Sequence, residues 1–188
     1  MTTENDFKKY HEWLLTRSWT GILYRKFYLY PQINKRINGQ VLDIGCGIGD
    51  YVRMSNNAIG LDINPFNIEY CKSIGLNCVL FENNIPFNDE TFDSILFDNV
   101  IEHIYDPYNL INDAKRVLKT GGRMIIGIPG IEHFFYDSDH KVCYSEDQLN
   151  NNFYIDGLKT IEIFYTPKIK ILRKFFVHSC RWLVLEKC

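Results

Sequence analysis

At 188 residues the chain is long enough for one domain with a buried core. Its 46% apolar and 23% charged residues exclude a disordered or collagen-like polypeptide. A formal net charge of -2 leaves no overall electrostatic footprint for nucleic acid. No apolar run reaches transmembrane length, the polar N-terminus is unlike a signal peptide, and six cysteines without a Cys-x-x-Cys pair read as free thiols, so the expectation is a cytoplasmic protein with no membrane span.

In chain order, residues Glu4 to Ile37 predict helix. Trp19, Ile22, Leu23, Phe27, Tyr30 and Ile33 recur at helical spacing, with a kink or break at Pro31. From Gln40 the pattern becomes short strands alternating with helices, which predicts a parallel α/β sheet. Strands are expected at Gln40–Ile44, Ala58–Leu61, Cys78–Phe81, Asp93–Asp98 and Arg123–Ile128, and helices at Phe66–Ser73 and Pro107–Leu118. Lys119-Thr120-Gly121-Gly122 is the stop signal of the latter helix. The Glu82–Phe92 connection, with Pro86 inside it, is too short for a crossover helix and predicts a loop. A helix near Ser145–Phe153 and late strands at Thr160–Thr166 and Trp182–Lys187 complete the pattern. Between the last two, Ile169–Phe176 interleaves Lys170, Arg173 and Lys174 with apolar residues, as a half-buried helix with a solvated basic face would.

The chemistry concentrates where the first strand ends. Val41-Leu42-Asp43-Ile44 runs into Gly45-Cys46-Gly47-Ile48-Gly49-Asp50, a loop whose glycines let backbone bend sharply and approach a ligand closely. A dinucleotide loop requires Gly-x-Gly-x-x-Gly, whose third glycine would fall on Asp50. Here the glycines alternate and an acid, Asp43, precedes them. A carboxylate there would repel a pyrophosphate and attract a cation, although an aspartate at this point can also simply cap a helix. Asp62 closes the second strand, where an acid can accept hydrogen bonds from ribose hydroxyls. Further along stand Ile85-Pro86-Phe87-x-Asp89-x-x-Phe92-Asp93, then Val100-Ile101-Glu102-His103-Ile104, then Val117-Leu118-Lys119-x-Gly121-Gly122.

Taken in order from Val41 to about Pro129, these segments resemble the motifs of the class I S-adenosylmethionine (SAM) methyltransferases, in particular small-molecule members similar to those of bacterial sugar and polysaccharide pathways. The resemblance implies a Rossmann-like, doubly wound, seven-stranded and mostly parallel sheet with an antiparallel late strand, in three α/β/α layers. It implies one domain over 1–188: a helical cap at 1–37, a SAM-binding core at 38–130, and a substrate-side lid with C-terminal strands at 131–188. The cofactor is SAM, held by Asp43, Gly45, Cys46, Gly47, Gly49, Asp62, Ile63, Glu82, Asn83, Asp98 and Asn99. Where family members carry an aspartate near the adenine this chain has Phe81, followed by Glu82. Gly49 to Ala58 leaves room for only an abbreviated first helix.

After the fifth strand, residues 130–144 hold two histidines, several acids and several aromatics, enough for a general base and a wall against a sugar ring. His140 is the first choice of base and His103 the second, with His133, Tyr136 and Tyr144 facing the substrate. A metal at His133, Asp137, Asp139 and His140 is disfavoured, because no fixed spacing orients those ligands, and no metal is expected. The fourth strand ends in Asp98-Asn99-Val100-Ile101 rather than Asn/Asp-Pro-Pro-aromatic, and the sequence has no Pro-Cys pair. The expected acceptor is therefore a hydroxyl or amine of a small molecule, a sugar or polysaccharide precursor, and not nucleic acid. A non-catalytic protein that binds SAM or another adenosyl ligand is the alternative.

Overall fold

Residues 3–130, 134, 139–144, 155–167 and 179–188 are described by a computed structural model of the chain. Helix α1 (Glu4–Leu15) starts at a reciprocal cap, in which the Thr3 hydroxyl accepts from the Asp6 amide and the Asp6 carboxylate accepts from the Thr3 amide. The single helix expected over Glu4–Ile37 is broken earlier than Pro31. Ser18 interrupts it, because its hydroxyl accepts from the Gly21 amide and caps a new helix, α2 (Trp19–Tyr24). A π-helical turn at Arg25–Leu29 leads into α3 (Tyr30–Asn34). Pro31 lies in the first turn of α3, where a missing N–H costs little. The π turn also shifts the face that each residue presents. Leu29, Tyr30 and Ile33 are buried, whereas Trp19 and Phe27 are about 70% exposed.

The strands are β1 (Val41–Ile44), β2 (Ala58–Asp62), β3 (Cys78–Leu80), β4 (Phe92–Asp98), β5 (Leu118–Pro129), β6 (Leu158–Thr166) and β7 (Cys180–Lys187). They form one seven-stranded sheet in the order β3-β2-β1-β4-β5-β7-β6. β1 to β5 are parallel, and β7 runs antiparallel to both neighbours. The order reverses between β1 and β4, which opens a crevice at the carboxyl ends of the strands, where open α/β sheets bind ligands. Strand β5 begins five residues earlier than the sequence suggests. Leu118 pairs with Phe92 before a register shift, so Lys119 to Gly122 belong to an irregular strand rather than to a turn.

Alternation along the strands feeds two cores. Ile95, Phe97, Met124, Ile126 and Ile128 face the layer carrying helix α5 (Tyr108–Val117), with Ile111, Ala114 and Val117 packed inward. Leu96, Ile125, Trp182 and Val184 face the other layer, with Leu29, Tyr30 and Ile33 of the N-terminal helices and Ile68 and Cys71 of helix α4 (Pro65–Ser73). The Glu82–Thr91 connection is non-helical, as its length requires. Arg116 fastens it, donating to the Ile85 and Phe87 carbonyls at 2.9 and 2.8 Å. The expected helices at 145–153 and 169–176 lie outside the described residues.

Candidate active site

Strand β1 delivers a buried carboxylate and then turns through three left-handed glycines. Gly45, Gly47 and Gly49 have φ of 72°, 55° and 76°. The Gly45 and Cys46 amides donate to the Leu61 carbonyl at 2.7 and 3.1 Å, which folds the loop over the end of β2. There the Asp62 carboxylate accepts from the Gly47 amide at 2.8 Å and from the Asn64 amide at 2.7 Å. Asp62 thus shapes the glycine loop as well as facing the crevice. Asn64 in turn caps α4 and donates to the Phe7 carbonyl at 2.8 Å, joining α1 to the site. The expected first helix after the loop is reduced to a 3₁₀ turn at Val52–Met54.

A cavity of about 770 Å³ opens here. Asp43, Gly45, Cys46, Gly47, Asp62, Ile63, Asp98 and Asn99 line it, while Gly49, Glu82 and Asn83 do not. Gly49 backs onto the interior, where a Cβ would meet Leu76 at 2.5 Å. Glu82 and Asn83 are exposed, and Phe81 takes the place on the cavity wall. Neighbouring residues of an extended segment point to opposite sides, which explains the one-residue difference.

The acids are held under electrostatic tension. Burial pushes the Asp43 carboxyl well above the usual carboxylate range, and the nearby Asp98, Asp62 and Asp50 push it further. Burial also raises Asp62, opposed by its hydrogen bonds from the Asn64 and Gly47 amides. Two arginines that the sequence reading did not select answer this charge. Arg25, from the π-helical turn, donates to Asp98 at 2.8 Å, and Arg17 pairs with Asp50 beside the glycine loop. Both arginines line the cavity together with Tyr10 and Trp13 of α1, so the N-terminal helices form part of its wall.

A raised folded-state value means that ionised Asp43 works against folding. Its favourable contribution is complete below the unfolded value, near pH 4, and is lost as pH rises through the folded one. Asp43→Asn should therefore melt above the wild-type chain without ligand, by a margin that grows from about pH 4 toward neutrality. It should also bind a cationic ligand at least ~10-fold more weakly, since a charge-assisted hydrogen bond is lost. Thermal melts at several pH values with and without SAM check both; a margin that shrinks with pH would contradict the assignment.

At the other side of the cavity the strand end is bent by Asn99, which adopts φ of 58° and donates its amide to the Gly127 carbonyl at 3.1 Å. Asparagine tolerates this left-handed conformation better than most residues. A 3₁₀ turn, Ile101–His103, follows. The Glu102 carbonyl accepts from the Lys141 and Val142 amides at 2.7 and 3.0 Å, so residues 139–142 are fastened against this turn. His103 and His140 are thereby brought together, ring centroids 4.8 Å apart, and both line the cavity. Tyr144 does not line it; its hydroxyl lies 3.5 Å from the Ile101 carbonyl oxygen. His133, Tyr136 and Asp137 lie outside the described residues. Asp139 sits 3.3 Å from His103 Nδ1.

The residues fit SAM on three counts. Clustered carboxylates suit an ammonium and a sulfonium, the left-handed glycines leave room for close backbone approach, and Asp62 presents an acid at the end of β2. Residues 42–126 match the family described as "Methyltransferase domain". An uncharacterized protein of Methanocaldococcus jannaschii is 34% identical over 120 residues, covering 63% of this chain and 56% of that one. The human probable tRNA methyltransferase 9B is 33% identical over 114 residues, covering 55% of this chain and 25% of that one. The chain thus spans between a quarter and little more than half of the length of these two relatives. Among solved structures, a SAM-dependent methyltransferase from Archaeoglobus fulgidus superposes with a TM-score of 0.68 at 18% identity, over 90% of this chain and all of that one, a likeness of fold. Strand order, crevice and sequence match agree: residues 42–126, a little under half of the chain, are similar to the methyltransferase domain family.

Proposed function

We propose that this chain transfers a methyl group from SAM to a hydroxyl or amine of a small molecule, with a sugar or polysaccharide precursor as the acceptor class. The observation that carries the reading is one cavity, of about 770 Å³, lined both by Asp43, Asp62 and Asp98 and by the His103–His140 pair. Small-molecule sites run from about 300 to 1,000 Å³, so a cavity that also accommodates the cofactor leaves room for a small acceptor or one end of a larger one.

Asp43, Asp62, Asp98 and the glycine loop would hold SAM, which when bound supplies a methyl group on a sulfonium whose bonding pair returns to sulfur on transfer. The chain's own task is to place the acceptor in line and to manage its proton. The His140 Nδ1 lies 2.6 Å from the Phe134 carbonyl oxygen, an acceptor only, so Nδ1 carries the hydrogen and a neutral His140 presents the Nε2 lone pair elsewhere. The cluster around that nitrogen is where an acceptor hydroxyl would lose its proton. Trp13 and Tyr10 add aromatic surface to the wall, as a sugar ring would use.

His140→Ala should lower turnover by about 100-fold or more, on the scale of lost proton management, and leave SAM affinity nearly unchanged. Parallel loss of both would give His140 a structural role. Release of S-adenosylhomocysteine with a panel of sugars, other small hydroxy and amino compounds, and tRNA identifies the acceptor. Methylation of tRNA alone would move the acceptor to nucleic acid, and stabilisation by NAD but not by SAM would overturn the reading altogether.

A further inference from the structure

We infer that Glu102, His103 and His140 form a binding site for one divalent transition-metal ion on the acceptor side of the cavity. The inference rests on the methyl-transfer reading of the same cavity and deepens it. A carboxylate oxygen of Glu102 and one ring nitrogen from each histidine lie within 4.8 Å of one another. His140 Nε2, the nitrogen left with its lone pair, is 3.9 Å from Glu102 Oε1. Bonds of about 2.0–2.1 Å to a shared ion place ligand atoms roughly 3 to 3.5 Å apart, so edges of up to 4.8 Å need to contract by up to roughly 1.3 to 1.8 Å on binding.

The surroundings match what metal-ligating histidines require. Such a histidine gives its other ring nitrogen to a carbonyl or carboxylate, which fixes its orientation. His140 Nδ1 meets the Phe134 carbonyl at 2.6 Å, and His103 Nδ1 meets the Asp139 carboxylate at 3.3 Å. The two halves of the site come from distant stretches of chain. They are clamped by the Lys141 and Val142 amides on the Glu102 carbonyl, so backbone holds the donors together. Glu102 is fully buried, with its carboxylate 3.9 Å from His140 Nε2. Two neutral imidazoles and one carboxylate carry a single negative charge and offer two nitrogens and an oxygen. That donor set suits Mn²⁺, Fe²⁺, Co²⁺ or Zn²⁺ better than Mg²⁺ or Ca²⁺, which favour oxygen alone.

Three protein ligands leave coordination positions open toward the cavity, which both imidazoles line. An acceptor with two adjacent oxygens, such as a vicinal diol, could occupy them. Coordination acidifies a bound hydroxyl, so its proton passes to water at neutral pH and the oxygen keeps the lone pair that attacks the methyl carbon. His140 then acts as a ligand rather than as the base. The substrate class narrows to acceptors that chelate.

The test uses the full chain after chelator treatment, titrated with Mn²⁺ by electron paramagnetic resonance and with Zn²⁺ by calorimetry, alongside S-adenosylhomocysteine binding. Wild type should take one ion per chain. Glu102→Gln and His140→Ala should each weaken ion binding by about 10-fold or more, while S-adenosylhomocysteine affinity stays within about 2-fold. If Glu102→Gln does not fold, His103→Ala, at the cavity wall, replaces it. Absence of ion binding by wild type, or undiminished binding in the variants, overturns the metal site. With S-adenosylhomocysteine still bound, either result leaves the methyltransferase reading standing. Failure of wild type to bind S-adenosylhomocysteine sinks that reading instead.

Discussion

Arg25→Ala should be among the most damaging single substitutions in the chain, lowering stability by about 3 kcal/mol. The guanidinium donates to Asp98 at 2.8 Å and lies 3.3 Å from the Tyr30 hydroxyl, and both partners of the ion pair are only 10% exposed. Breaking one partner of a buried pair is costly because the remaining charge stays buried without compensation. Here the cost is compounded by Asp43, whose own carboxyl is already destabilised by Asp98. The same pair ties the π-helical turn to the carboxyl end of β4, so its loss should also loosen the N-terminal helices over the cavity. The expected result is a lower urea midpoint and weaker S-adenosylhomocysteine binding. Saturating SAM, whose positive groups partly replace the lost cation, should recover more stability in the variant than in wild type. A loss below about 1 kcal/mol would show that water reaches Asp98 freely and that the pair is a surface contact.

The contrast between Arg25 and Asp62 shows what sequence can carry. Asp62 was legible because its cues are local: a strand end, an Asp-x-Asn-Pro turn, and a glycine loop one strand earlier. The same locality made the parallel strands readable, since each is a short apolar run between turn signals, and it limited the Glu82–Thr91 connection to a loop by length alone. Arg25 pairs with a residue 73 positions away, and nothing near it in sequence marks that partner. The apolar spacing of Trp19, Ile22, Leu23 and Phe27 describes a stripe but not its direction. The Ser18 cap and the π turn reset the helical phase, so burial passes to Leu29, Tyr30 and Ile33. Phe81 and Glu82 exchanged places for a similar reason, because one residue of register decides which side an extended segment shows. His103 and His140 were each visible as titratable residues. Their meeting depends on backbone bonds from residues 141 and 142 to the Glu102 carbonyl, which no side-chain pattern announces.

The glycine loop allows the sharpest separation of fold from function. Gly45→Ala and Gly75→Ala both place a Cβ on left-handed backbone, at φ of 72° and 79°. The conformational cost is therefore the same in each, roughly 1–2 kcal/mol. The surroundings differ. At Gly75, which follows the C-cap residue Ile74 of α4, nothing lies within 4 Å of the added carbon. At Gly45 it would stand 2.6 Å from Val100 Cγ2, inside any contact real atoms allow, so either the loop or the Val100 turn has to move. Both line the cavity. Gly75→Ala should thus lose stability only and keep its affinity for S-adenosylhomocysteine. Gly45→Ala should lose about 2–4 kcal/mol through strain and overpacking together, and bind at least ~100-fold more weakly. Adding Val100→Ala to Gly45→Ala removes the atoms in conflict, so calorimetry should show part of the affinity returning while the strain of the left-handed alanine persists. If the double variant binds no better than Gly45→Ala, the loop's demand for glycine lies in its backbone conformation and not in its distance from Val100.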